Sequence, residues 1–249
     1  MAGDILIYQD YIQNHGLLYK KLIEIYGRER VGFCDSADIC AGCLRTKPPQ
    51  LFVMPGGADL YYCEKLNGKG NQEIRHYVEN GGSYLGICAG AYYAAKNIIW
   101  AADTKHEIAG DRELQFFNGQ AIGPVKEFME TGEIEQSWSG ITRLTFTSEK
   151  HSDAHVRYTG GPVFIPEDTN KIAILAYYAD LPNMPPAIIK CTVGRGKVML
   201  SSPHIESTPK EWQSTIYTLY NPSAEYERTL PASSSKEEKC VLSLLLEEL

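Results

Sequence analysis

The chain has 249 residues, 43% of them hydrophobic and 22% charged, and a formal net charge of -7. That size suits one large α/β domain or two small ones, and the balance is ordinary for a soluble globular protein. The acidic surplus, with Arg28 and Arg30 interrupted by Glu29, speaks against nucleic acid as the main partner, because phosphate binding needs a basic face.

The first residues, Met1-Ala2-Gly3-Asp4, lack the charged start and long apolar core of a signal peptide. No apolar run approaches the ~20 residues that span a bilayer, so no membrane partner is expected. Seven cysteines, an odd number scattered through a large chain, read as reduced thiols and point to the cytoplasm.

Ile5-Leu6-Ile7-Tyr8 reads as a buried strand. Residues 16–26 carry Leu17, Leu18, Leu22, Ile23 and Ile25 at helical spacing. Val31–Cys34 is a weaker strand, and Leu51–Met54 a third, stopped by Pro55-Gly56-Gly57. Glu73–Glu79 looks helical and ends at Asn80-Gly81-Gly82. Ser83–Ile87 is a further buried strand, and a helix-forming run follows from Ala89 to Ala95. Residues 100–165, rich in Gly, Glu and aromatics, read as an irregular, partly antiparallel insertion. The regular pattern resumes at Lys171–Tyr178, Ala187–Val193 and Lys197–Ser201, with Gly194-Arg195-Gly196-Lys197 as a tight turn. Pro209–Tyr220 reads as a late helix, Pro231–Ser235 as a linker and Lys236–Leu249 as a final amphipathic helix. The expected organisation is one domain over 1–225, with a linker and C-terminal helix over 226–249. Strands alternating with helices imply a mainly parallel sheet covered on both faces.

The most informative segment is Gly86-Ile87-Cys88-Ala89-Gly90. A strand, a sharp turn carrying a cysteine, and a helix make a nucleophile elbow; glycines two residues before and after relieve crowding. The helix N-terminus favours a thiolate. Such a nucleophile needs a base and a group to orient it. His204, just after the Lys197–Ser201 strand, is the candidate base, and Glu206, two residues on, falls on the same side of extended chain. Strand C-termini of an open α/β sheet converge on one crevice, so the separation of Cys88 and His204 is no obstacle. Oxyanion donors are expected from the N–H groups of Ala89, Gly56 and Gly57. Asp59, Tyr61, Tyr62 and Tyr92 lie near these loops as candidate pocket walls.

Cys34, Cys40 and Cys43 form C-x5-C-x2-C. With no close fourth ligand this reads as ordinary thiols in a loop, with redox sensitivity left open, and neither a metal nor a cofactor is expected.

The cysteine elbow with a distant His-x-Glu resembles class I glutamine amidotransferases. Met54–Leu60, Gly81–Tyr92 and Tyr158-Thr159-Gly160-Gly161 more narrowly resemble the amidotransferase-like N-terminal domain of biotin–protein ligases, over about residues 4–220. The resemblance implies a flavodoxin-like three-layer sandwich, a Cys88–His204–Glu206 triad and Gly160 and Gly161 at the substrate. It implies amide hydrolysis or amide-nitrogen transfer through a thioester, a small-molecule amide or acyl substrate, and a synthetase or ligase partner. Two features depart from it. Tyr92 stands where many glutamine-using members carry Gln, and no ligase domain follows residue 220. A catalytically silent binding or regulatory module is therefore the alternative. A third reading, a related redox superfamily that pairs the elbow cysteine with a carboxylate after the first strand, would need Asp10 and is less favoured.

Overall fold

The structure is a computed structural model that describes residues 4–10, 15–128, 139–208, 211 and 240–249. Its centre is a nine-stranded sheet. The first strands are β1 (Ile5–Tyr8), β2 (Val31–Cys34), β3 (Leu51–Met54) and β4 (Ser83–Ile87). After the insertion come β8 (Ser139–Phe146), β9 (Ala154–Thr159), β11 (Ile172–Tyr178), β12 (Pro186–Val193) and β13 (Gly196–Ser201). The order is β2-β1-β3-β4-β13-β12-β11-β8-β9.

This sheet is mixed, not mainly parallel. The pairings among β2, β1, β3, β4 and β13 are parallel, and those among β13, β12, β11, β8 and β9 antiparallel. The reason is connection length. Two residues, Gly194 and Arg195, join β12 to β13, with Gly194 at φ 59°. A link that short closes a hairpin and cannot cross over to a parallel neighbour.

Side chains alternate between two cores. On β3, Phe52 and Met54 face one apolar cluster while Leu51 and Val53 face the other. The first cluster is covered by α2 (Ser36–Cys40), α3 (Cys43–Thr46), α4 (Asp59–Leu66), α5 (Lys69–Glu79) and α6 (Ala89–Tyr93), and by a second sheet. That sheet contains β5 (Ala95–Trp100), β6 (Ile108–Asp111), β7 (Phe117–Gly123) and β10 (Val163–Pro166), in the order β10-β7-β5-β6. The second cluster is covered by α1 (His15–Tyr26) through Leu18 and Leu22, and by α7 (Val241–Leu245) through Val241, Leu242 and Leu245. The architecture is therefore layered α/β, and about half of the described residues in the 100–165 region, expected to be irregular and partly antiparallel, are strand, with antiparallel pairings among them.

Among the described residues, helix bounds differ from their patterns at two places. The run after the elbow is helical only over Ala89–Tyr93 before β5 begins. The final helix covers Val241–Leu245, followed by a 3-10 turn. In the other direction, α5 starts at Lys69, and α4 follows directly on the Pro-Gly-Gly loop. The expected helix at Pro209–Tyr220, the Pro231–Ser235 linker and positions 236–239 of the expected final helix lie outside the described residues, Glu211 excepted. No helix among the described residues is long and apolar enough to cross a membrane.

Candidate active site

β3, β4 and β13 are neighbours in the parallel half of the sheet. Their C-terminal ends deliver the Pro55-Gly56-Gly57 loop, Cys88 and the Ser202–Glu206 segment to one place, which is where an open α/β sheet presents ligands.

Cys88 sits at φ 50° and ψ -104° between β4 and α6. A non-glycine residue held there costs of order 1–3 kcal/mol and persists only where its surroundings enforce it. Here the enforcement is hydrogen bonding. The Cys88 N–H donates to the Ser201 carbonyl at 2.8 Å, and the Cys88 carbonyl accepts from Ala91 and Tyr92 at 3.0 and 3.1 Å. The Gly90 N–H donates to the Pro55 carbonyl at 3.1 Å. The glycines serve packing, since a Cβ on Gly90 would lie 2.0 Å from the Met54 oxygen, and one on Gly86 would lie 2.5 Å from the Gly90 oxygen.

His204 is brought to the elbow by β9, through its N–H on the Arg157 carbonyl at 2.8 Å. Its imidazole lies beside Cys88 and Gly56: a Cβ on Gly56 would sit 2.7 Å from His204 Cε1, 3.3 Å from Nε2 and 3.6 Å from Cys88 Cβ. Glu206 Oε1 is 2.7 Å from His204 Nδ1, and both side chains are buried. Burial alone would lower the His204 pKa, but the Glu206 carboxylate and the neighbouring Cys88 sulfur outweigh it and raise it to about 10. Burial pushes Glu206 up, and the opposing charge and hydrogen bond of His204, with a smaller contribution from Arg157, bring it below its ordinary value. Glu206 Oε2 has no hydrogen bond among the described residues, so the carboxylate's interactions centre on the imidazole.

The Pro-Gly-Gly loop is fixed from below. The Tyr62 hydroxyl donates to the Pro55 and Gly56 carbonyls at 3.1 and 3.3 Å. Ala89 opens α6 directly after Cys88, while Gly57 follows Gly56 with partial exposure.

The pocket candidates divide. Tyr61 is 47% exposed and belongs to the surface, whereas Tyr62 is fully buried. Asp59 is buried and its Oδ2 accepts from Arg112 Nε at 2.6 Å, so its carboxylate is engaged by an arginine that sequence reading did not single out. Burial raises the Asp59 pKa against the pull of that guanidinium. Tyr92 is buried and donates to the Gly160 carbonyl at 3.0 Å. Tyr158 donates to the Gly161 carbonyl at 2.7 Å and accepts from the Val125 N–H. Gly161 packs against Ser202, where a Cβ would lie 2.2 Å from the Ser202 oxygen.

These bonds tie the segment Thr159–Gly161 over the elbow. The Cys88 thiol donates to the Thr159 carbonyl at 3.2 Å, and Cys88 and His204 retain only 7% and 9% exposure. The Thr159 contact had no signal in the sequence, because a backbone carbonyl is presented by any residue type. Among the described residues no cluster of three or more His, Cys, Asp or Glu could hold a metal ion.

A layered α/β fold with a cysteine elbow at the end of a parallel strand is the class I glutamine amidotransferase-like fold. A solved glutamine amidotransferase from Thermotoga maritima superposes with a TM-score of 0.57 at 16% identity, covering 98% of this chain and 96% of that one. A catalytic mutant of the GH42 β-galactosidase Gan42B from G. stearothermophilus matches with a TM-score of 0.51 at 11% identity, over 90% of this chain and 31% of that one. At these identities the likeness shows the fold alone, and the same fold serves different proteins. The model of the family described as "Biotin-protein ligase, N terminal" matches residues 45–249, and the chain belongs to that family. An uncharacterised protein of Chlamydia muridarum is 39% identical over 164 residues, which are 65% of this chain and 62% of that protein. A biotin–protein ligase of Schizosaccharomyces pombe is 33% identical over 165 residues, 63% of this chain but 25% of the ligase. The chain thus matches less than two thirds of the length of either relative.

Proposed function

We propose that this amidotransferase-like domain is a thiol-dependent amide hydrolase or amidotransferase acting through a Cys88–His204–Glu206 triad. The observation that carries the reading is the buried His204–Glu206 pair at 2.7 Å beside a strained elbow cysteine. In the first step the proton shared by Cys88 and His204 is held on the imidazole, the deprotonated sulfur attacks the amide carbonyl and a tetrahedral oxyanion forms. Ala89, Gly56 and Gly57 are the proposed N–H donors to that oxyanion; losing one such donor typically costs about 10²–10³ in rate. His204 then protonates the leaving amine, leaving a thioester. Water, or an acceptor, releases the acyl group and returns the sulfur.

The substrate is a small amide or acyl compound. Glutamine is not assumed, because Tyr92 already spends its hydroxyl on Gly160. The biotin–protein ligase relative supports action beside a ligase or synthetase, in the cytoplasm, where seven free thiols stay reduced. Asp59, Gly160 and Gly161 would contact substrate only after exchanging their present partners, and Tyr61 would form the outer rim.

A specific observation favours the alternative, a silent binding module: the Thr159 carbonyl occupies the position in front of the Cys88 sulfur. Alkylation of Cys88 by iodoacetamide across pH separates the two. A rate and pH profile set by His204, altered in His204→Ala, supports the triad. Reactivity unchanged by His204→Ala assigns the silent module. Ammonia release from a panel of amides, with Cys88→Ala as control, then identifies the substrate.

A further inference from the structure

The Tyr62 side chain is fully buried under the Pro55-Gly56-Gly57 loop, and its hydroxyl donates to the Pro55 and Gly56 carbonyls at 3.1 and 3.3 Å. Burial raises that hydroxyl well above its ordinary pKa, so it stays protonated and remains a donor. A peptide unit is planar, and in its trans form the C=O and N–H point in opposite directions. The Pro55–Gly56 and Gly56–Gly57 bonds are both trans. The Pro55 carbonyl shares its plane with the Gly56 N–H, and the Gly56 carbonyl shares its plane with the Gly57 N–H. One hydroxyl therefore fixes the direction of both N–H groups and turns them away from itself. The reacting groups are within reach of the same loop, since a Cβ on Gly56 would lie 3.3 Å from His204 Nε2 and 3.6 Å from Cys88 Cβ.

The hydroxyl is itself held in place. The Tyr62 ring stands edge-on to the rings of Tyr8 and Tyr93, with centroids 5.4 and 5.7 Å away. Its helix, α4, starts at Asp59, whose Oδ2 accepts from Arg112 Nε at 2.6 Å. Arg112 Nη1 donates to the Asp111 carbonyl at 3.1 Å, while Nη2 is buried with no hydrogen bond among the described residues. A buried ion pair with a donor left over is a poor source of stability; what it supplies here is a fixed start for α4. The Pro55 carbonyl also accepts from the Gly90 N–H at 3.1 Å, which ties the first of the two peptide planes to the elbow.

We infer that Tyr62 is a positioning residue of the oxyanion site: by holding the Pro55 and Gly56 carbonyls, its hydroxyl aims the Gly56 and Gly57 N–H groups. This role rests on the triad reading, because only acyl chemistry at Cys88 builds an oxyanion there.

The test compares two reactions of Cys88 in the full chain. Acylation by 4-nitrophenyl acetate passes through a tetrahedral oxyanion. Alkylation by iodoacetamide displaces iodide at a saturated carbon and makes none. In Tyr62→Phe the acylation rate, read as 4-nitrophenolate release above a Cys88→Ala background, should fall about 10²-fold. The alkylation rate and its pH profile should stay as in the unsubstituted chain. Arg112→Lys keeps the charge but loses the planar fork. It reaches the same peptides only through α4, so it should give the same split with a smaller fall, and it decides the matter where Tyr62→Phe does not fold. A parallel fall in both reactions would make Tyr62 a support of the whole site rather than of its N–H donors, and would overturn the inference. Acylation that survives Tyr62→Phe would overturn it too, while leaving the triad standing. An unsubstituted chain whose alkylation is set by His204 but which never acylates would instead overturn the acyl-transfer reading, and this role with it.

Discussion

Gly56 is the residue through which the candidate site is most sensitive. Any side chain there meets the imidazole before anything else, with Cε1 2.7 Å from the added Cβ. Gly56→Ala should therefore displace His204 while leaving the sheet intact. A misplacement of about 1 Å can cost of order 10²-fold in a positioned reaction, so iodoacetamide alkylation of Cys88 should lose its dependence on His204. An unaltered pH profile in Gly56→Ala would show that the imidazole does not act there. Tyr92 has the opposite role, because its hydroxyl holds the Gly160 carbonyl of the covering segment. Tyr92→Phe leaves that buried carbonyl short of a partner, at a cost of about 1–3 kcal/mol. Urea unfolding should show that loss, and Cys88 should alkylate faster because Thr159 is held less firmly over it. His204 also makes stability depend on pH. Its folded pKa is raised from 6.5 to about 10, so the unfolded chain releases this proton first as pH rises. The stabilisation is full below 6.5 and is lost on passing through about 10. Glu206, lowered from 4.5, contributes above that value and loses its share as pH falls through the folded one. The stability advantage of the native chain over His204→Gln should shrink steadily across the upper window. A constant difference, measured by denaturant midpoints, would show that the imidazolium–carboxylate pair does not form.

At the scale of elements, the elbow is a packing solution between β3, β4 and α6. The positive φ falls on Cys88, and the flanking glycines let α6 descend until the Gly90 N–H reaches Pro55. Gly90→Ala would push a methyl to 2.0 Å from the Met54 oxygen. Overpacking against backbone costs about 1–3 kcal/mol or more, so thermal unfolding should shift down strongly, together with loss of Cys88 reactivity. This element was legible because its requirement is local: a small-x-Cys-x-small pattern between a strand and a helix has few other uses. The parallel strands were legible for a similar reason, since burial on both faces leaves continuous apolar runs such as Leu51–Met54. The antiparallel half was not. β11 and β12 carry the same apolar content, and only the short links before β12 and β13 disclose their direction. The 100–165 strands were obscured because small residues fill buried positions, as in β7, whose buried and open residues alternate but whose buried positions include Gly119, Ala121 and Gly123. His204 and Glu206 were legible as a pair from their spacing. The Thr159 carbonyl, the Asp59–Arg112 ion pair and the Tyr62 buttress were not, because each depends on chain segments distant in sequence meeting in space.

For the whole molecule, the last ten residues matter more than their position suggests. They cover the second core cluster with Val241, Leu242 and Leu245, so the helix packs on its own domain. They also reach the segment that carries the candidate base: the Leu242 N–H donates to the Ile205 carbonyl at 3.0 Å, and Cys240 Sγ contacts the same oxygen at 3.1 Å. Ile205 lies between His204 and Glu206 and is fully buried. Lys190 on β12 is paired with Glu248 at 2.8 Å, but that pair is part-exposed and contributes little, about 0–1 kcal/mol. The apolar contacts dominate. Leu242→Ala removes a fully buried side chain and should cost about 2–5 kcal/mol, readable as a lower urea midpoint. Lys190→Ala should change that midpoint far less. Because Leu242 and Ile205 share a hydrogen bond, the first substitution should also slow Cys88 alkylation in the surviving folded fraction, by loosening the strand end that sets His204 against the sulfur. Equal stability losses in the two variants would place the C-terminal segment's contribution in its surface ion pair, contrary to the burial it shows.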